Sequence, residues 1–198
     1  MKIKNKKILN LGCGKARIPN TIGVDHVEIE HYVDIVHNLD ITPYPFKSDS
    51  IDEIHMYHVL EHLHDPIQKL EELYRILKPG GIVHMRVPHF SSMGAFTDIT
   101  HVRPFAYLSF ECLQPNSYHH FYTTSSFEIM HKEIKYLGQY PNNGIYAKYV
   151  HKNYCPWYAR PIVRLINFLI KCSPMAFERI WCYWVGGATE IVFELKKT

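Results

Sequence analysis

Ile8-Leu9-Asn10-Leu11-Gly12-Cys13-Gly14-Lys15 runs from an apolar strand into a glycine-relaxed loop, and every other feature of the chain takes its place relative to it. Ile8, Leu9 and Leu11 read as a short buried strand. Gly12 and Gly14 free the backbone to turn sharply and to approach a ligand where a side chain would stand in the way. Two glycines after a strand fit a plain tight turn as well as a cofactor cradle. The order of elements downstream bears on the choice.

Ile22-Gly23-Val24-Asp25 is a second apolar run, ending in a carboxylate, and Val33-Asp34-Ile35-Val36-His37 is a third. Parallel strands normally need a crossover of about a dozen residues, so any helix in these two connections must be short or irregular. After the proline-punctuated loop Ile41–Phe46, Ser50–Tyr57 reads as a fourth strand. Asp65 caps a helix that starts at Pro66; Ile67, Leu70, Leu73, Tyr74 and Leu77 recur at helical spacing until Lys78-Pro79-Gly80-Gly81 stops it. Ile82–Val87 is a fifth strand, a helix is expected around Tyr107–Leu113, Phe127–Tyr136 alternates as a sixth strand, and Thr189–Leu195 is the last. Short strands alternating with turns and a clear amphipathic helix predict an α/β fold with an open, mostly parallel sheet. Ligands of such sheets bind outside the carboxyl ends of the strands, where Gly12, Asp25, Asn38, Tyr57 and Pro88 stand.

At 198 residues and 46% hydrophobic, the chain fits one domain, 1–198, with an insertion at 137–187 before the last strand. A net charge of +3 from 22 basic and 19 acidic residues does not describe a dedicated nucleic-acid binder. Lys2, Lys4, Lys6 and Lys7 read as a solvated leader. The 5 cysteines are odd in number and form no C-x-x-C pair, which argues against a disulfide framework or a zinc ribbon and for a reducing cytoplasm. No apolar run reaches the roughly 18 residues that a bilayer span requires. In the insertion, Arg160, Arg164, Asn167 and Lys171 fall on one helical stripe, while Ile162, Val163, Leu165, Ile166, Phe168, Leu169 and Ile170 cover the rest. Three readings suit it: a lid that packs Trp157, Trp181 and Trp184 on the core, a peripheral membrane contact through 157–185, and a homodimer contact.

In order, Leu9-Asn10-Leu11-Gly12-Cys13-Gly14, Gly23-Val24-Asp25, Ser50-Ile51-Asp52-Glu53-Ile54, Val59-Leu60-Glu61-His62-Leu63 and Leu73–Gly81 resemble the motifs of the class I S-adenosylmethionine-dependent methyltransferases, and among them the type-11-like group. The resemblance covers about residues 7 to 88 and is specific through the co-occurrence of its motifs. It implies a Rossmann-like, mostly parallel seven-stranded sheet with an antiparallel last strand, here with short early crossovers, and S-adenosyl-L-methionine as cofactor. It also implies that Gly12, Cys13 and Gly14 approach the cofactor, that Asp25 accepts its ribose hydroxyls, and that His26 flanks the adenosine. Asn38, Leu39 and Asp40 line the adenine, with either Asn38 or Asp40 at the usual acidic position, and Tyr57 and His58 meet the methionine tail. A solvated turn carboxylate is the plain alternative for Asp25. The usual third glycine is missing, which leaves Lys15 or Arg17 as partners for the cofactor carboxylate.

Methyl transfer from a sulfonium is an in-line displacement, so the protein mainly positions the acceptor and, for a hydroxyl, removes a proton. His89 follows the fifth strand directly, and Asp98, His101 and Arg103 form a polar set just beyond it. Histidine's near-neutral pKa suits His101 or His89 as the base, with Asp98 to orient it; a helix cap at Asp98 with His101 packed in the first turn is the alternative. Arg103, Glu61 and His62 are the candidate acceptor contacts. The Asp98–Phe105 segment is also similar to one in methyltransferases of surface-glycan biosynthesis, which implies a sugar or other small-molecule acceptor. The competing functions are an RNA methyltransferase and a cofactor-binding regulatory protein without turnover. The 14 histidines raise a metal reading through His58, His62 and His64, but no Cys or carboxylate set at zinc spacing accompanies them, and no metal is expected.

Overall fold

Leu9, Leu11, Val24, Ile54 and Met56 are wholly withdrawn from water, and the strands that carry them make the centre of the sheet. The computed structural model describes residues 6–136, 159–184 and 187–198, with only the backbone of Trp184. Lys2, Lys4, Cys155 and Trp157 lie outside the described residues. β1 (Ile8–Leu11), β2 (Ile22–Asp25), β3 (Ile35–Val36), β4 (Ile51–Tyr57), β5 (Leu77–Pro88), β6 (Phe127–Lys135) and β7 (Glu190–Lys197) form one seven-stranded sheet in the order β3-β2-β1-β4-β5-β7-β6. β1 to β5 are mutually parallel, and β7 runs antiparallel to both β5 and β6. The expected α/β sheet with an antiparallel last strand is therefore what forms. Strand order reverses at β1, between β2 and β4, which is where a ligand crevice opens in sheets of this kind.

The early crossovers, residues 12–21 and 26–34, contain turns and bends and no helix. Side chains satisfy the backbone groups that a helix would have satisfied. Asp34 Oδ2 accepts the Gly23 N–H at 2.8 Å, and the Arg17 guanidinium spans Thr21 O and Asp34 Oδ2, each at 2.8 Å. The second loop lies so close to β2 that a Cβ on Gly23 would fall 2.3 Å from Tyr32 O, so only glycine fits there.

α1 (Pro66–Ile76) starts as its sequence predicts, with Asp65 accepting the Gln68 N–H at 3.0 Å, and it buries Leu70, Leu73 and Ile76. It stops two residues before Lys78. Leu77 already pairs with Ile51, and Lys78-Pro79-Gly80-Gly81 forms the irregular start of β5 rather than a loop before it, because Lys78 Nζ reaches Asp52 Oδ1 at 2.6 Å. β3 is shorter than the predicted run. Tyr107–Leu113 contains only a 3-10 turn at Glu111–Leu113, since Ser109 Oγ accepts the Ala106 N–H at 2.8 Å and competes with helix propagation. α2 (Gly94–Thr97) is a single turn.

In the insertion, α3 (Arg160–Cys172) buries Val163 and Ile170, and Ile170 joins Ile134 of β6, Phe177 and Ala188 in a second small core. Of the helix's polar stripe, Arg160, Arg164 and Lys171 remain exposed and only Asn167 is turned into the sheet edge. Asn167 exchanges two 3.0 Å hydrogen bonds with the Tyr136 backbone, and Lys171 pairs with Glu133 at 3.1 Å. Ile162, Leu165, Phe168 and Leu169 are more than half exposed instead. Among the described residues no helix is long and apolar enough to cross a membrane, and Cys13, Cys112, Cys172 and Cys182 are free thiols.

Candidate active site

The end of β1 builds the floor of a pocket. Gly12 adopts φ +63°, and a Cβ placed on it would lie 2.3 Å from Val59 Cγ2. Its N–H donates to Val24 O at 2.8 Å, which folds the loop back over β2. At the end of β2, Asp25 Oδ2 accepts the Gly14 N–H at 2.8 Å, and Oδ1 accepts the His26 and Val27 N–H groups at 2.8 and 3.3 Å. A carboxylate offers about four acceptor sites, so Oδ2 retains capacity for a further donor. The His26 ring is exposed and holds its Nδ1 3.0 Å from Asp25 Oδ1.

Beyond β3, Asn38 Oδ1 accepts the Asp40 N–H at 3.0 Å, which leaves the Asn38 amide NH2 with no acceptor among the described residues. Asp40 is committed elsewhere. Its carboxylate takes the His64 N–H and ring Nδ1 at 2.8 and 3.0 Å. Burial works against that charge, but the His64 hydrogen bonds hold the Asp40 carboxyl below its usual range. Asn38 is thus the freer of the two polar groups beside Leu39.

Gly12, Asp25, His26, Asn38, Leu39, Asp40, His58, Val59, His62, Leu63 and Thr100 line a single pocket of about 470 Å³, in the range of small-molecule sites. Three residues predicted to meet a cofactor do not line it. Gly14 gives its N–H to Asp25 from behind. The Cys13 thiol turns toward Tyr32 O at 3.5 Å; burial first, and the Asp25 charge next, push its pKa up to about 11, so it stays protonated. The Tyr57 ring lies on the opposite face of the sheet, where its hydroxyl meets His55 Nδ1 at 2.9 Å and Arg86 stacks over it. Arg17 is likewise engaged with Asp34 and is not free to meet a ligand.

His58, at the end of β4 in the left-handed region (φ +56°), places its ring between two buried carboxylates, 3.4 Å from Glu61 and 3.2 Å from Glu190. Burial disfavours the imidazolium, but Glu190 and Glu61 outweigh it and raise the pKa to about 9, so His58 carries a proton at neutral pH. Glu61 sits in the 3-10 turn Leu60–His62, 1% exposed, and neither of its oxygens has a partner in hydrogen-bond geometry. Its backbone carbonyl accepts the Val102 N–H at 2.8 Å, which ties the segment Asp98–Phe105 to the pocket wall.

That tie brings His101 beside His62, with ring centroids 4.6 Å apart. Asp98 Oδ1 accepts both the N–H and the hydroxyl of Thr100, at 2.9 and 2.6 Å, and its second oxygen stays 3.9 Å from His101 Nε2. These Thr100 hydrogen bonds keep the Asp98 carboxyl below its usual range. Arg103 is half-buried, and its Nε has no described partner. His89 is not brought to the pocket: it is fully buried, with Nδ1 on Ser91 Oγ at 2.6 Å and Nε2 on Glu178 at 3.0 Å, and it joins the end of β5 to the insertion. Val59 and Leu63 were visible in the sequence as members of a quoted motif without a role, and Thr100 lay inside the Asp98–Phe105 segment. Glu190, 132 positions from the histidine it pairs with, carried no local signal.

Residues 9–85 match a family model described as a methyltransferase domain. A protein of Mycolicibacterium smegmatis, named as a probable S-adenosylmethionine-dependent methyltransferase, is 29% identical over 100 residues, 42% of this chain; the match spans only 38% of that relative's length. Among solved structures, a SAM-dependent methyltransferase from Archaeoglobus fulgidus superposes with a TM-score of 0.55 at 17% identity over 97% of this chain and 86% of its own. The YcgJ protein of Bacillus subtilis gives 0.56 at 14% identity over 98% and 92%. The cyclase SpnF gives 0.54 at 15% over 97% and 74%, so likeness of fold leaves the reaction open. The fold is that of the Rossmann-like methyltransferases, and the likeness of residues 9–85 to a methyltransferase domain makes S-adenosyl-L-methionine the cofactor against which the pocket is to be tested.

The pocket fits that cofactor on its own chemistry. Gly12 keeps clear the space that a Cβ would fill, Asp25 has an acceptor site for a ribose diol at a strand end, and Leu39, Val59 and Leu63 give an apolar wall beside the Asn38 amide.

Proposed function

We propose that this protein is an S-adenosylmethionine-dependent methyltransferase that O-methylates a sugar or another small hydroxylated acceptor. The observation that carries the reading is that one pocket at the carboxyl ends of β1, β2 and β4 is lined by both the Asp25 carboxylate and the imidazole of His62. When bound, the cofactor would supply a methyl group on a sulfonium for in-line transfer to the acceptor oxygen. The chain's own part is to hold both molecules. Asp25 would accept hydrogen bonds from the ribose hydroxyls, and its rigidity comes from the Gly14, His26 and Val27 N–H groups that already hold it. His62 and Thr100 line the same pocket, with His101 beside His62, so an acceptor hydroxyl placed there meets imidazole nitrogens able to take its proton. A polar acceptor suits His62 and Thr100, whose side chains offer hydrogen bonds. The similarity of the Asp98–Phe105 segment to glycan-modifying methyltransferases supports a sugar.

Calorimetry with S-adenosylhomocysteine tests the cofactor half. Asp25→Ala should weaken binding by on the order of 1.5–3 kcal/mol, the worth of hydrogen bonds to a charged group; unchanged affinity would reject the assignment. Transfer of a labelled methyl group to a panel of mono- and disaccharides tests the acceptor half.

A further inference from the structure

We propose that Glu61, His62 and His101 bind a first-row divalent cation of the zinc class at the acceptor end of the pocket. The inference rests on the methyltransferase reading for its role but not for its existence. One ligand atom from each of the three residues lies within 4.8 Å of the other two, and no two of them are joined by a described hydrogen bond that would explain the grouping.

Two independent features point to a cation. Glu61 is 1% exposed with both carboxylate oxygens lacking a hydrogen-bond donor. His58 stands 3.4 Å away but is out of hydrogen-bond geometry and is shared with Glu190. His58 offsets part of the charge, but a buried carboxylate whose oxygens meet no hydrogen-bond donor keeps unmet acceptor sites, which a coordinated cation would fill. The second feature is the tautomer that the surroundings impose on each ring. Thr100 has one hydroxyl hydrogen and gives it to Asp98 at 2.6 Å, so toward His62 Nδ1, at 2.8 Å, it can only accept. Ala95 O, 3.2 Å from His101 Nδ1, can only accept as well. Both rings therefore carry a hydrogen on Nδ1, and Nε2 is the nitrogen that each leaves for a ligand. A neutral imidazole whose second nitrogen is hydrogen-bonded to a neighbouring oxygen is the arrangement that metal-binding histidines adopt.

Two histidines and one carboxylate leave coordination positions open, as in catalytic zinc and non-haem iron sites. Of the three ligands, His62 lines the pocket, so an ion held by them would lie beside it. A hydroxyl bound there would lose its proton to bulk water near neutral pH, as zinc-bound water does at about pH 7, and His101 would act as ligand rather than base. The other cluster of this composition, Glu53, His55 and His84, already has its charge met: Glu53 Oε1 lies 3.0 and 3.3 Å from the two ring Nε2 atoms, and Oε2 lies 3.5 Å from Lys6 Nζ.

The test uses the whole chain freed of metal by chelation. Calorimetry with Zn²⁺, and the visible absorption of added Co²⁺, should each show one equivalent bound through nitrogen and oxygen ligands. His62→Ala/His101→Ala and the near-isosteric Glu61→Gln, each checked for folding by circular dichroism, should weaken binding at least about tenfold, as loss even of an outer-shell partner does. His55→Ala/His84→Ala should leave it unchanged. No bound equivalent in the wild type, or loss of binding only in His55→Ala/His84→Ala, would overturn the proposal. S-adenosylhomocysteine binding by the metal-free wild type reports on the methyltransferase reading separately: metal binding without cofactor binding would refute that reading and leave this one standing.

Discussion

Gly12→Ala has a cost that can be worked out from two separable causes. The residue sits at φ +63°, where an L side chain pays roughly 1–2 kcal/mol. The new Cβ also falls 2.3 and 3.1 Å from the two γ-methyl carbons of Val59, which is 8% exposed and, being β-branched, has little rotamer freedom to retreat. Overpacking of that kind costs typically 1–3 kcal/mol, so the total is about 2–5 kcal/mol, enough to lower a urea midpoint sharply without unfolding a domain of ordinary stability. Gly14→Ala is the contrast: φ is +47°, but no atom lies within 4 Å of its added Cβ, so only the strain remains. The decisive assay is a double-mutant cycle followed by far-UV circular dichroism in urea. Val59→Ala removes both clashing carbons, leaving Val59 Cβ at 3.3 Å, so Gly12→Ala/Val59→Ala should be more stable than the sum of the single changes by about 1–3 kcal/mol. Additivity within about 0.5 kcal/mol would refute the close approach of the loop to the β4 connection. In parallel, Gly12→Ala should lose measurable S-adenosylhomocysteine binding, since the displaced Val59 lines the pocket.

His58 makes stability pH-dependent in a predictable direction. Its folded pKa of about 9 stands above the usual 6.5, so the stabilisation is complete below pH 6.5 and is lost as pH rises through 9. The shift corresponds to about 3 kcal/mol at 1.36 kcal/mol per unit, and to on the order of 2 after screening of a ring that is 30% exposed; urea melts from pH 6 to 9.5 should show that decline in the wild type and a flatter profile in His58→Gln. Lys69, 2% exposed, donates its Nζ to Asp40 O at 2.8 Å and Gln68 Oε1 at 2.7 Å. Lys69→Met should cost about 1.5–3 kcal/mol and speed amide exchange in the 38–41 turn, whereas unchanged exchange would show that the turn holds itself.

What could be read from the sequence was what is local in the chain. Gly12-Cys13-Gly14 after an apolar strand, Asp25 at a strand end and Asp65-Pro66 before a helical stripe each state their geometry within a few residues, and the sheet and most of the pocket follow from them. Misreadings arose where a distant partner decides. Lys78–Gly81 looks like a helix stop, but Ile51 and Asp52 draw it into β5. Asn167 looks like part of a solvated basic stripe, but the Tyr136 backbone meets its amide at both ends. His89 has the residue type and the position of a base, and only the fold reveals that Ser91 and Glu178 use up both of its nitrogens. Glu190 was invisible for the same reason.

One local signal had a further meaning. In β4, Ile54 and Met56 turn to the core, while Glu53, His55 and Tyr57 project to the other face beside His84 and Arg86 of β5 and Glu194 of β7. Those residues are half-buried and bonded to one another: Glu53 to His55 and His84, His84 to Glu194, His55 to Tyr57. A parallel sheet covered by helices on both sides would read as continuous apolar runs; the alternation here matches a sheet with one apolar and one polar face. The helix-free crossovers 12–21 and 26–34 and the polarity of β4 are then two signs of the same economy, since helices there would need apolar residues beneath them. It follows that the pocket floor is not held by a helix N-terminus, the usual anion site after a glycine loop, but by side chains that reach back to backbone: Asp25 to Gly14, Asp34 to Gly23, Arg17 to Thr21. The geometry of the pocket therefore depends on a few ion-paired carboxylates in a way that a helix-backed site does not, and Asp34, which touches no pocket-lining residue in these bonds, belongs to its support as much as Asp25 belongs to its wall.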